Sequence, residues 1–193
     1  MRDRLRHYAE KYLGYDARNW LRVRQIDAFT EILAARPPAS VLEISPGWNN
    51  FWRSRCRTYT SVDYPKFDIC QACLPREFDV VIADQVLEHV RQPVEAVKNM
   101  HRMLAPGGQL MLATPFLFRV HARPHDYNRW TEGGIRQLLM DGGFSDERIN
   151  THSWGNKACA RAHVGGPVRD YGWYRDMSND PEYPMMVWAF AAK

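Results

Sequence analysis

The chain has 193 residues, enough for one well-packed core and too few for two independent domains. No apolar run approaches the roughly 18 residues of a bilayer-crossing helix, and the N-terminus lacks the apolar region of a secretion signal, so we expect a cytoplasmic protein with no membrane partner. The net charge of +4 is small, whereas a nucleic-acid-binding protein usually has a concentrated basic face. We therefore do not expect a nucleic-acid partner.

Two helices are predicted within residues 1–37. Apolar residues such as Leu5 and Tyr8 repeat at helical spacing until Gly14 interrupts the first helix, and a second apolar series ends before Pro37. Such helices can cover the edge of a sheet or form part of a lid over a substrate. The sequence leaves both interpretations open.

The most informative segment is the predicted strand 40–44, which is followed by an acidic turn. Glu43 lies near the end of this strand, Gly47 turns the chain, and the next apolar run ends at Asp63. A glycine turn lets the backbone approach a ligand, and a strand-terminal carboxylate offers two acceptor oxygens to the hydroxyls of a ribose. This layout is typical of a nucleotide-type cofactor site, although a turn that binds nothing can have the same pattern.

Strands and helices alternate along the rest of the chain, which predicts an α/β fold. The further predicted strands are 58–62, 78–83, 109–114, 148–154 and 185–192, and the further predicted helices are 48–55, one that begins at Pro93, and 132–141 with Thr131 as its cap. The connection from Asp63 to Asp68 is too short for a crossover helix. Either a short strand follows it, or Asp68 is not in a strand.

Three segments carry a family resemblance, namely FDVVIADQVLEHV (78–90), RMLAPGGQLMLATP (102–115) and HDYNRWTEGG (125–134). With them, the chain resembles the class I S-adenosylmethionine-dependent methyltransferases, particularly the type-11 methyltransferase-domain group. The resemblance is strong over residues 38–145 and loose in the C-terminal part.

The resemblance implies a Rossmann-like, doubly wound, mostly parallel seven-stranded sheet with a short or degenerate third strand, an antiparallel last strand and N-terminal helices. It also implies one domain over 1–193. That domain would comprise an N-terminal helical lid (1–37), a cofactor-binding core (38–145), and C-terminal strands with a long aromatic-rich loop (146–193).

The implied cofactor is S-adenosylmethionine, released as S-adenosylhomocysteine, and it would lie across the ends of three strands. The residues that the resemblance assigns to it are Glu43, Ile44, Ser45, Gly47, Asp63, Tyr64, Asp68, Ile69, Ala83, Asp84 and Gln85. Asp63 would accept hydrogen bonds from the ribose, and Asp68 and Ile69 would contact the adenine. Ser45 and Asn49 stand where the family often has glycine.

Acceptor chemistry is expected in the loop 116–130. His121 and His125 are the candidate general bases, because a histidine titrates near neutrality and a base accelerates transfer to a hydroxyl by about 10²–10⁴-fold. The same loop can instead be a structural clasp in which Asp126 pairs with Arg129. The sequence leaves both interpretations open for His125.

No metal site is predicted. Cys70 and Cys73 have half the spacing of a zinc site but no second pair, so we expect reduced thiols near the cofactor. The pair His121 and His125 has no evident third ligand. The dipeptide 88–89, Glu-His, is expected to pack and hydrogen-bond locally.

The sequence therefore predicts methyl transfer to a small-molecule acceptor, with O-methylation slightly favoured over N-methylation. One alternative is an RNA or protein methyltransferase, which predicts a basic face joining Arg53, Arg55 and Arg57 to the N-terminal arginines. The other is a non-catalytic binding or scaffold protein, which the departures at Ser45 and Asn49 motivate. The aromatic residues of 155–183 can line an acceptor pocket, pack over the sheet or form a homodimer contact.

Overall fold

A computed structural model describes residues 2–47, 52–122, 124–173 and 175–193, with side chains from residue 5 onward. Within these ranges the helices are α1 (Arg2–Tyr12), α2 (Val23–Ala35), α3 (Pro93–Arg102), α4 (Glu132–Asp141) and α5 (Lys157–His163). The strands are β1 (Asp16–Asn19), β2 (Ser40–Ile44), β3 (Thr58–Val62), β4 (Phe78–Asp84), β5 (Leu104–Pro115), β6 (Ile149–Trp154), β7 (Asp170–Gly172) and β8 (Met186–Ala192). None of the described helices is both long and apolar enough to span a bilayer.

The central sheet has six strands in the order β3-β2-β4-β5-β8-β6. Strands β2 to β5 pair in parallel, whereas β8 runs antiparallel to both of its neighbours. The mostly parallel Rossmann-like sheet and its antiparallel last strand are therefore confirmed. The main sheet has six strands where seven were expected. The segment after Asp63 forms turns rather than a third parallel strand, and Asp68 is not in a strand.

Alternating side chains place two apolar layers on the two faces of the sheet. One layer packs against α3 and α4 and includes Leu42, Ile44, Val81, Leu110 and Leu112. The other packs against α2 and α5 and includes Val41, Val80, Ile82, Met111 and Phe190. Because each central strand is buried on both faces, its carboxyl end is the part left free to meet a ligand.

Two predicted helices begin where their local signals place them. Pro93 opens α3, and the Thr131 hydroxyl caps α4 by accepting a hydrogen bond of 3.1 Å from the Gly134 N–H. The helix predicted over 48–55 is different: residues 48–51, which include Asn49, lie outside the described ranges, and Arg53–Arg55 form a 3-10 turn instead of an α-helix.

The sequence did not predict the ribbon, our name for strands β1 and β7, which pair antiparallel apart from the main sheet. Tyr15 donates a hydrogen bond of 3.0 Å to Asp170, and the Trp20 N–H donates one of 2.9 Å to the Arg169 carbonyl. The ribbon thus attaches the N-terminal segment to the long loop after β6. That loop also contains α5, in a stretch where no helix was predicted.

Candidate functional site

The carboxyl ends of β2, β3 and β4 border a cavity of about 600 Å³. Its lining residues are Ile44, Ser45, Asp63, Tyr64, Phe67, Asp68, Ile69, Cys70, Gln71, Gln85, Val86, His89, Val90, Arg91, Pro124, His125 and Tyr127. A second cavity of about 450 Å³ lies between α2 and the 3-10 turn at 53–55, and its lining holds neither a carboxylate nor a histidine. The first cavity is therefore the candidate site.

The structure divides the predicted site residues into two groups. Those that line the cavity are Ile44, Ser45, Asp63, Tyr64, Asp68, Ile69, Gln85 and His125. Those outside its lining are Glu43, Gly47, Ala83, Asp84 and His121. The second group includes the side chains that bond to other parts of the protein, described below.

Two strand ends at the cavity hold residues in the left-handed backbone region. Ser45 follows β2 with φ of 50°, and Gln85 follows β4 with φ of 62°. Non-glycine residues rarely adopt this conformation, and such strained residues cluster at active and ligand-binding sites. The Gln85 side-chain nitrogen Nε2 is also buried without a hydrogen-bond partner among the described residues, which leaves a donor at the cavity wall for a ligand.

Asp63 is the exposed acid at the end of β3. Its backbone carbonyl accepts a hydrogen bond of 3.0 Å from the Phe67 N–H, and no described residue donates to its carboxylate. The carboxylate therefore keeps its acceptor oxygens for a ligand.

Asp68 and Ile69 lie in the turn beyond β3. One Asp68 carboxylate oxygen accepts a hydrogen bond of 2.9 Å from the Cys70 N–H, so this acid partly caps its own turn. The Ile69 carbonyl accepts one of 2.7 Å from the buried amide of Asn99 in α3. The turn is thereby fixed to a helix that packs on the sheet.

Glu43 and Asp84 bond within the protein rather than at the cavity surface. Glu43 accepts hydrogen bonds from the Tyr59 hydroxyl and the Gly47 N–H, while burial and the nearby Asp84 raise its pKa. Asp84 forms an ion pair with Arg22, which precedes α2. Glu43 therefore holds the turn after β2, and Asp84 joins the sheet to the N-terminal segment.

The loop after β5 contains the clasp that the sequence offered as one interpretation. Asp126 accepts hydrogen bonds from both terminal nitrogens of Arg129 and one of 2.9 Å from the His121 N–H. The Arg129 guanidinium holds the pKa of Asp126 at about 2. The Tyr127 N–H donates a hydrogen bond of 2.7 Å to the Glu88 carbonyl, so the clasp fixes this loop to the turn after β4.

Glu88, in the 3-10 turn after β4, is the functional candidate that the sequence interpretation missed. Its side chain is 0% exposed, burial raises its pKa to about 8, and neither carboxylate oxygen has a hydrogen-bond partner among the described residues. The Nε2 atoms of His89 and His121 lie 3.7 and 3.8 Å from its Oε1. Glu88 and His89 follow β4, and His121 follows the adjacent parallel strand β5. This placement at neighbouring strand ends was the sequence signal that could have indicated the cluster.

Cys70 and Cys73 do not form a paired thiol site. Cys70 Sγ lies 3.6 Å from the Gln92 carbonyl, and Cys73 Sγ lies 3.2 Å from the Asn99 side-chain oxygen. Cys70 lines the cavity, whereas Cys73 does not.

Three N-terminal arginines pair with acids. Arg6 lies 3.2 Å from Asp170, Arg18 lies 2.7 Å from Asp16, and Arg22 pairs with Asp84. These pairs offset the charge of three of the arginines that the predicted basic face would use.

Comparison with known proteins identifies relatives in sequence and in fold. Residues 8–153 match the protein family described as a methyltransferase domain. Ubiquinone biosynthesis O-methyltransferase of Pseudomonas paraeruginosa is 39% identical over 56 residues, which cover 28% of this chain and 24% of that protein. The matched segment therefore spans only about a quarter of that curated relative.

Solved structures share the fold at low sequence identity. A SAM-dependent methyltransferase from Archaeoglobus fulgidus has a TM-score of 0.60 at 12% identity, with 97% of this chain and 98% of that one covered. The N-methyltransferase NodS from Bradyrhizobium japonicum, solved with S-adenosyl-L-homocysteine, has a TM-score of 0.55 at 18% identity, with 97% of each chain covered.

Proposed function

The chain belongs to the class I S-adenosylmethionine-dependent methyltransferases, and from that premise we propose that it transfers a methyl group to a small-molecule acceptor. We favour an oxygen nucleophile over a nitrogen one, and the partial sequence match to an O-methyltransferase supports that preference. The observation that carries the proposal is the cavity at the strand ends, where Asp63 and Gln85 offer an acceptor and a donor that no described residue uses.

The residues of the cavity fit a sulfonium nucleoside. A volume of about 600 Å³ lies within the usual range of ligand pockets. Ile69 and Val86 supply apolar surface for a base, while Asp63 supplies the acceptor oxygens that ribose hydroxyls require. The amide nitrogen of Gln85, which has no partner among the described residues, suits the carboxylate of an amino-acid moiety.

We assign the cofactor contacts by position along the cavity. Asp63 and Tyr64 would bind the ribose, and Asp68 and Ile69 the adenine. At the ends of β2 and β4, Ile44, Ser45 and Gln85 would meet the methionine end. Gly47 and Ala83, which are close to them in the chain but outside the cavity lining, would support the same end. Glu43 and Asp84 would act from behind the cavity, because their carboxylates hold the Gly47 turn and Arg22 in place.

When bound, S-adenosylmethionine supplies a methyl group on a positively charged sulfur, which is already a strong electrophile. The main task of the protein is therefore to align the acceptor and exclude water. His125 is exposed at the cavity wall and is our candidate to take the proton of an acceptor hydroxyl. His121 lies outside the lining, between Asp126 and Glu88, and we assign it a different role below.

Two substitutions test cofactor binding and chemistry separately. Calorimetry with S-adenosylmethionine should show that Asp63→Ala lowers affinity roughly 100-fold, because hydrogen bonds to a charged acceptor are lost. Asp141→Ala, at the end of α4, is the matched control and should bind as the native chain does.

With an acceptor panel of phenols, alcohols and amines, His125→Ala should lower turnover far more than cofactor affinity.

Two outcomes would contradict the proposal. If the native chain gives no binding heat, it is a scaffold that kept the fold without the chemistry. If Asp63→Ala binds as tightly as the native chain, the ribose assignment is wrong.

A further inference from the structure

Glu88 is a buried acid that accepts no side-chain hydrogen bond from the described residues. Its side chain is 0% exposed, and both of its oxygens lack hydrogen bonds among the described residues. An ionised carboxylate in this environment is costly unless it takes up a proton or binds a cation through its oxygens. The position therefore invites a positively charged ligand.

The two imidazoles beside Glu88 complete a set of three donor atoms. Nε2 of His89 and Nε2 of His121 lie 3.7 and 3.8 Å from Glu88 Oε1, and the three ligand atoms all lie within 4.8 Å of one another. Ligands about 2.1 Å from a tetrahedral metal ion are separated by about 3.4 Å. A small inward movement of these side chains would reach that spacing.

The outer nitrogen of each ring lies near an oxygen acceptor. Nδ1 of His89 lies 2.5 Å from the His125 carbonyl oxygen, which can only accept, so Nδ1 carries the hydrogen and Nε2 keeps its lone pair. Nδ1 of His121 lies 3.2 Å from an Asp126 carboxylate oxygen, without the alignment of a hydrogen bond. Carbonyl and carboxylate groups at the far nitrogen are the usual outer partners of metal-binding histidines.

We propose that Glu88, His89 and His121 bind a divalent first-row transition metal ion of the zinc type, with at least one coordination position left open. Two imidazoles and one carboxylate suit zinc, iron or manganese better than magnesium or calcium, which prefer oxygen ligands. Three protein ligands with an open position are the arrangement of reactive rather than purely structural zinc sites.

The open position faces the region where an acceptor would bind. His89 lines the cofactor cavity, whereas Glu88 is fully buried, so access to the ion would come from the side of the two histidines, whose side chains are 21% and 27% exposed. A hydroxyl or carboxylate oxygen of the acceptor would fill the open coordination position of the ion. This role of the ion rests on the proposed function, whereas metal binding itself does not.

Metal binding is tested on tag-free full-length protein stripped with a chelator. Calorimetry with Zn²⁺ should show one site, and Co²⁺ should give the visible absorption bands of a low-coordinate nitrogen–oxygen site. Glu88→Gln and His121→Ala should each weaken Zn²⁺ binding about 100-fold or more. His7→Ala, which removes an exposed histidine of α1, should leave it unchanged.

Thermal unfolding of each variant checks that it is folded, and His89→Ala replaces any variant that is not. The proposal is overturned if the native chain binds no ion, or if folded Glu88→Gln and His121→Ala bind Zn²⁺ as the native chain does. Titration with S-adenosylmethionine alone keeps the two proposals apart. Cofactor binding without metal binding removes the metal site only, and metal binding without cofactor binding removes the proposed function only.

Discussion

Ser45 and Gln85 show how single residues shape the cofactor edge. Each holds a left-handed backbone conformation that glycine would adopt at little cost, and each hydrogen-bonds from its N–H to the end of a neighbouring strand, Val62 at 2.8 Å and Ala113 at 2.9 Å. The sequence placed the turn at Gly47 and marked Ser45 only as a position where the family often has glycine. It gave no sign of the same conformation at Gln85, since glutamine has no preference for it.

The buried His163, which does not line the cavity, should make the stability of the protein depend on pH. Its Nδ1–H donates to the Cys159 carbonyl at 2.8 Å, and its Nε2 accepts from the Arg169 N–H at 3.3 Å, so the neutral ring uses both nitrogens. Burial lowers the pKa of His163. The folded state therefore binds fewer protons than the unfolded state, and the free energy of unfolding should fall as the pH drops below the unfolded value of about 6.5.

Urea unfolding at about pH 7.5 and about pH 5.5 measures this effect. The native chain should lose more stability between the two conditions than His163→Gln, whose amide does not titrate. The other histidines contribute equally to both proteins, so the comparison isolates this ring. Equal losses in the two proteins would show that His163 titrates normally.

At the scale of elements, local signals predicted structure and distant pairings did not. Strand β3 and helix α4 have the bounds that the sequence indicated, because alternation and an N-terminal cap are properties of neighbouring residues. The ribbon was missed because its strands have only four and three residues and pair across about 150 positions. The Glu88 cluster was missed for a related reason: burial without a partner depends on what folds around the acid.

The packing of α3 against α4 depends on the glycine that follows α4. A Cβ atom built on Gly142 would lie 2.1 Å from Cγ1 of Val97, a stiff β-branched side chain in α3. Gly142→Ala should therefore lower the free energy of unfolding by about 1–3 kcal/mol. Gly133→Ala is the matched control: its Cβ meets only Thr131 Oγ1 at 4.0 Å, and alanine should stabilise this helical position by about 0.5–1 kcal/mol.

Denaturant unfolding of the two alanine variants measures both changes in the free energy of unfolding. Opposite shifts of the transition midpoint, with unchanged slopes, are the expected result. A neutral Gly142→Ala would mean that the two helices separate at little cost.

At the scale of the whole molecule, two contacts tie the N-terminal segment to the rest of the fold. The ribbon joins it to the long loop after β6, and Arg22 joins it to Asp84 at the carboxyl end of β4. The Asp84 side chain is only 11% exposed and lies near the buried Glu43. Arg22 is thus the cation that offsets the charge of Asp84 and of the nearby Glu43 at this end of the sheet.

A double-mutant cycle tests this attachment. Arg22→Met should cost about 3 kcal/mol of unfolding free energy, because it leaves the Asp84 carboxylate buried beside another acid without its cation. Asp84→Asn should cost less, since Arg22 is 26% exposed and can reach water. The double variant should then be about as stable as Asp84→Asn alone, because the uncompensated charge is gone. If the two single losses simply add in the double variant, the pair is not coupled, and packing rather than charge holds the N-terminal segment at the sheet.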